Sequence, residues 1–113
     1  MKSPITTHVL DTSLGRPAAD VPVVLALREA SGSWQELAHG ATDVDGRIAD
    51  LLDESLGRGV YRLTFDVHGY FQRQQQSAFY PEVSVVFEVD DPDQHYHVPL
   101  LLSPFGYSTY RGS

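Results

Sequence analysis

No cysteine occurs among the 113 residues. Disulfides, thiolate nucleophiles and cysteine-based zinc sites are therefore excluded. Basic residues are scarce: 8 Lys and Arg stand against 15 Asp and Glu, for a formal net charge of −7. They form no run or stripe, so the electrostatic footprint of a nucleic-acid or anionic-membrane binder is missing. No apolar stretch approaches the roughly 20 residues of a membrane-spanning helix. The opening MKSPITTHVLD has no apolar h-region, so no secretory leader is expected and the expected compartment is the cytoplasm. The glycines of GRPAAD, DGR and GRG match neither nucleotide-binding fingerprint.

What is present is an ordinary globular composition, 42% apolar and 20% charged. The length predicts one domain over residues 1–113, with a core modest enough to gain from oligomerisation. Alternating segments recur between turn signals. PITTHVLD, VPVVLALREA, WQELAHGAT, RIADL, GVYRLTFDV, EVSVVFEVD, HYHVPLLLS and YSTYRGS read as strands. Core faces follow from parity: Val21, Val23, Leu25 and Leu27; Tyr61, Leu63, Phe65 and Val67; Val83, Val85, Phe87 and Val89; Tyr96, Val98, Leu100 and Leu102. HGYFQRQQQS lacks β-branched residues and predicts the one helix. About eight strands and one short helix indicate an all-β sandwich.

Chemistry-bearing residues fall off these core faces. His8 shares a face with Thr6 and Leu10, opposite Ile5, Thr7 and Val9. His95 and His97 share one with Pro99 and Leu101. A His-x-His pair on a strand suits zinc, given further N or O ligands, and equally suits acid–base work near neutrality. Arg47 follows a DVDG turn and offers a planar fork for a carbonyl-rich ligand. Ser113 beside a histidine formally allows a Ser-His-Asp reading. A serine at the end of the sequence is expected to lack the flanking chain and oxyanion hole that a triad needs.

The last stretch, HYHVPLLLSPFGYSTYRGS, resembles the C-terminal signature of the 5-hydroxyisourate hydrolases, the enzyme branch of the transthyretin family. THVLDTSLGRPA resembles their N-terminal signature, and TDVDGR, GVYRLTFD and FYPEVSVVFEV follow in order. The resemblance spans essentially the whole chain, and YRGS is specific to the enzyme branch. It implies a transthyretin-like sandwich of two four-stranded sheets, assembled as a homotetramer with active sites in a channel where two dimers meet. It implies hydrolysis of 5-hydroxyisourate to 2-oxo-4-hydroxy-4-carboxy-5-ureidoimidazoline in urate breakdown, with no cofactor and no metal.

Carried over by residue, the resemblance implies catalytic roles for His8, Arg47, His97 and Ser113. It implies substrate contacts from His8, Arg47, Tyr110, Arg111 and Gly112. A histidine would activate water and Arg47 would polarise the substrate, with His95 at the periphery. Two other classes stay open at this point. One is a carrier of small aromatic ligands in the same channel. The other is a structural sandwich that binds zinc through His95 and His97.

Overall fold

The computed structural model describes residues 3–113. Among them the strands are β1 (Ile5–Asp11), β2 (Arg16–Pro17), β3 (Pro22–Arg28), β4 (Trp34–Ala41), β5 (Arg47–Ile48), β6 (Gly59–Asp66), β7 (Glu82–Val89), β8 (Tyr96–Ser103) and β9 (Gly106–Thr109), with helix α1 (His68–Arg73) between β6 and β7. They build a sandwich. One sheet has the order β4-β3-β6-β7. The other has the order β2-β1-β8-β9, with β5 also pairing β1.

The second sheet therefore holds five strands rather than the four expected. The added member is β2; β2 and β5 are both two-residue strands on the same side of β1, at Leu10–Asp11 and at Thr7–His8. RIADL accordingly contributes only Arg47 and Ile48 to a strand. The helix is also shorter than HGYFQRQQQS, and its stop is a backbone event. Gln75 takes the left-handed conformation at φ 56°. The Gln76 amide then donates to the Phe71 carbonyl and the Gln75 amide to that of Gln72. This is the Schellman pattern, which closes a helix whatever the propensity of the residues beyond it.

Alternation predicts the core well because one face of each strand must be dry. Val21, Val23, Leu25, Leu63, Phe65, Val67, Leu100 and Leu102 are all at most 1% exposed. Burying each such side chain stabilises by about 1.5–3 kcal/mol. Leu27 and Phe87 are only half-buried and lie at the margin of the cluster. Thr6, His8 and Leu10 of β1, and His97, Pro99 and Leu101 of β8, occupy the opposite, outer face of the five-stranded sheet.

One buried polar contact ties the helix to that sheet. The Tyr70 hydroxyl donates to Asp11 Oδ2 at 2.6 Å, with both residues buried. Burial alone would raise the Asp11 pKa. Hydrogen bonds from the Ser13 and Tyr70 hydroxyls and the Leu14 and Ser13 amides outweigh it and hold the carboxyl below 3.8. Burial, then the neighbouring carboxylate, pushes the Tyr70 phenol well above its ordinary range.

Candidate active site

The parallel pairing of β1 with β8 opposes Thr6 to His97 and His8 to Pro99. The antiparallel pairing of β1 with β5 opposes His8 to Arg47. Opposed residues in a sheet point to the same side. The register thus sets Arg47, His8, Thr6 and His97 on one outer face, drawn from three strands. Beyond β9 the chain continues alongside β8 as far as Gly112, whose amide donates to the His97 carbonyl at 2.8 Å.

Each position has a local cause. Arg47 is held by its turn: Asp43 Oδ1 accepts from the Asp45 amide at 2.9 Å and the Arg47 amide at 3.0 Å. Gly46 has φ 74°, and a side chain there would collide with the Val9 carbonyl that its own backbone approaches. Glycine is required at that position on both counts. The Val9 amide donates to the Gly46 carbonyl at 2.7 Å, which locks the turn to β1. Asp43 and Gly46 therefore fix the root of the arginine.

His97 is fixed from two sides. Thr6 Oγ1 lies 2.8 Å from His97 Nδ1, and the same oxygen lies 3.1 Å from His95 Nε2. On the other side is Gly112, where a Cβ would stand 2.6 Å from His97 Cδ2. Burial lowers the His97 pKa from 6.5, and the Arg47 guanidinium, His95 and His8 lower it further. The ring is thus neutral at pH 7. With Nδ1 engaged by Thr6, Nε2 is the nitrogen left to meet a ligand.

A cavity of about 260 Å³ opens here, lined by Thr6, Thr7, Arg47, Ile48, Ala49, His95, His97 and Ser113. It brings together Arg47, His97 and Ser113 of the expected set. His8 joins through its register beside Arg47 and its electrostatic influence on His97. Tyr110 and Arg111 do not enter this cavity. They line a different one of about 240 Å³ with Val85, Val86, Phe87, Glu88, Tyr96, Val98 and Thr109. Arg111 stacks 4.4 Å above the Tyr96 ring and donates to Gln94 Oε1 at 2.7 Å, so within the chain it anchors the tail.

Gly112 belongs to the site as the space that admits the His97 ring. Thr6 and Asp43 were not singled out from the sequence. Parity already put Thr6 on the face of His8, and that signal could have found it. Among the described residues, no three His, Cys, Asp or Glu side chains converge as metal ligands. His95 and His97 converge on the Thr6 hydroxyl instead.

Known proteins resemble the chain in both sequence and fold. A 5-hydroxyisourate hydrolase of Mus musculus is 48% identical over 98% of this chain and 96% of its own length. The solved 5-hydroxyisourate hydrolase of Klebsiella pneumoniae superposes with a TM-score of 0.84 at 37% identity, covering 96% of this chain and 92% of that one. Sea bream transthyretin, solved in complex with thyroxine, superposes with a TM-score of 0.91 at 36% identity, covering 97% and 95%. The family model described as HIUase/Transthyretin family matches residues 5–112, and the chain belongs to that family.

Proposed function

We propose that the chain hydrolyses 5-hydroxyisourate to 2-oxo-4-hydroxy-4-carboxy-5-ureidoimidazoline in urate degradation, in the cytoplasm, by attack of a histidine-activated water. Shape alone does not choose between hydrolase and carrier, since the TM-scores are 0.84 and 0.91. The observation that carries the reading is the cavity shared by Arg47, His97 and Ser113, residues far apart in sequence and joined on one face. The name of the mouse relative, 48% identical, supports the same activity.

The mechanism uses side chains alone and no cofactor. Neutral His97 takes a proton from water through Nε2. The water oxygen adds to a ring carbonyl carbon, and negative charge grows on the carbonyl oxygen. The Arg47 guanidinium, always charged and forked, stabilises that oxygen. Collapse breaks the ring C–N bond, and the departing nitrogen takes a proton from His97 Nε2–H, which restores the base. His8, beside Arg47, holds the water and substrate together, and Ser113 binds substrate at the cavity rim. Arg111 serves this site by fixing the course of the tail that places Gly112 and Ser113.

Among the described residues no layer covers this face, and Arg47, His95 and Ser113 are exposed. Electrostatic catalysis is strongest where water is excluded. A second copy laid across the face would supply that exclusion, which supports a homotetramer with sites between dimers. The test is the ultraviolet decay of freshly made 5-hydroxyisourate. The chain should accelerate it over the spontaneous rate, and the accelerating species should sediment as four copies. Saturable ligand binding with spontaneous-rate decay would overturn the reading in favour of a carrier.

A further inference from the structure

The Thr6 hydroxyl sits between two imidazole nitrogens, 2.8 Å from His97 Nδ1 and 3.1 Å from His95 Nε2. The two rings are nearly parallel, with an interplanar angle of 20° and centroids 6.5 Å apart. A hydroxyl has one proton to donate. When that proton is shared between the two rings, two orderings satisfy both contacts with neutral rings. In one, Thr6 donates to His97 Nδ1 and accepts from His95, which leaves a proton on His97 Nε2 and removes its basicity toward the cavity. In the other, His97 donates Nδ1–H to Thr6, Thr6 donates to His95 Nε2, and His97 Nε2 presents its lone pair. Of these two, only the second leaves His97 Nε2 able to activate water.

We propose that Thr6 is a positioning and proton-relaying residue: it holds His97 in the Nδ1–H form and passes the proton taken from water on to His95. The inference rests on the reading of His97 as base. The step balances. The His97 Nε2 lone pair binds the water proton, His97 Nδ1 yields its proton to Thr6 Oγ1, and the Thr6 hydroxyl proton moves to His95 Nε2. His97 ends neutral as the Nε2–H tautomer, Thr6 ends as a hydroxyl, and His95 ends as the cation. Hydroxide equivalent has meanwhile bonded to the substrate carbonyl carbon.

The surroundings favour that direction. His97 is partly buried and faces Arg47 and His8, so a lasting imidazolium is disfavoured there. His95 is exposed and can release the proton to solvent. The charged or titratable groups around it are His97 from β8, Arg47 from β5 and Asp93 from the preceding turn. Thr6 itself is 8% exposed, so water does not readily replace its hydroxyl.

The experiment compares full-length wild type with Thr6→Val, Thr6→Ser, His95→Gln and His97→Gln in the 5-hydroxyisourate decay assay. Histidine-selective 15N NMR is recorded on wild type and Thr6→Val. Thr6→Val, which keeps shape and removes the hydroxyl, should lower kcat by about tenfold or more, a fraction of the 10²–10⁴ typical of a whole acid–base group. KM should change little. Wild-type His97 should show protonated Nδ1 and bare Nε2, and Thr6→Val should lose that signature. Thr6→Ser should restore both rate and tautomer. His95→Gln should lose kcat, and added imidazole buffer should recover it. A fully active Thr6→Val, or one impaired with the tautomer unchanged and no rescue by Thr6→Ser, would overturn the relay. If His97→Gln keeps full activity, the base reading falls and the relay with it. If His97→Gln is inactive while Thr6→Val is normal, only the relay falls.

Discussion

Gly112 lies flat against the imidazole of His97: its amide donates to the His97 carbonyl at 2.8 Å, and a Cβ would come within 2.6 Å of ring carbon Cδ2. A real Cβ cannot stand that close to a ring atom. The ring or the tail must therefore move in Gly112→Ala. Misplacement of a catalytic group by about 1 Å can cost about 10²-fold in rate. The tail contributes no residue to the buried core beyond Leu102. Gly112→Ala should thus lose turnover on that order while its melting temperature stays within a few degrees of wild type. Paired rate and melting measurements on one preparation check this.

The pH profile follows from His97. Its pKa is depressed below 6.5, so it releases its proton at lower pH than an ordinary imidazole and is a competent base at neutrality. Activity should be flat near pH 7 and fall only as pH drops below about 6.5 toward the folded-state value. Stability moves the same way. The unfolded chain binds the proton more readily in that window, so stability is lost as pH falls. In His97→Gln any residual rate should lack this acid limb, a difference that rate–pH curves read directly.

Arg47 depends on its guanidinium and on its turn. Lysine keeps the charge but not the fork, so Arg47→Lys should be impaired in kcat. Asp43→Ala removes the acceptor of the Asp45 and Arg47 amides, which lie 2.9 and 3.0 Å away. It should cost about 1 kcal/mol of stability and also reduce kcat, because the arginine loses its fixed root. Wild-type kinetics in both variants would make Arg47 an ordinary solvated turn residue.

Stability and activity should separate at Tyr70. Tyr70→Phe removes a 2.6 Å bond to a buried carboxylate at the end of β1, outside the cavity. Hydrogen bonds to charged groups contribute about 1.5–3 kcal/mol. The melting temperature should fall by at least about 5 °C in a domain of this size. Turnover at 25 °C should hold, since Asp11 keeps its bonds from Ser13 and Leu14.

Alternation made the sandwich legible in the sequence, because in a half-dry strand it reports burial directly. It placed Tyr61, Leu63 and Phe65 inward, and it placed His8 and His97 outward. The added strand β2 was not legible, since a two-residue strand carries no period, and for the same reason β5 was legible only as a longer strand over RIADL. The early end of α1 at Arg73 was hidden because Gln75 adopts φ 56° despite its good helix propensity. His8, Arg47, His97 and Ser113 were picked out by resemblance. Their assembly depends on register, which pairs Thr6 with His97 across 91 residues of sequence. No local pattern encodes that pairing. Parity put Thr6 on the face of His8, but its contact with His97 was out of reach, as was that of Arg111 with Tyr96.

The central claim is hydrolysis by a water that His97 activates. The most direct single measurement is the ultraviolet decay of freshly made 5-hydroxyisourate at pH 7, run side by side with wild type, with folded His97→Gln and with buffer alone. The account predicts rapid decay with wild type and a loss of about 10²–10⁴-fold in the variant, approaching the spontaneous rate. Equal rates for wild type and His97→Gln, or wild type no faster than buffer, would contradict it.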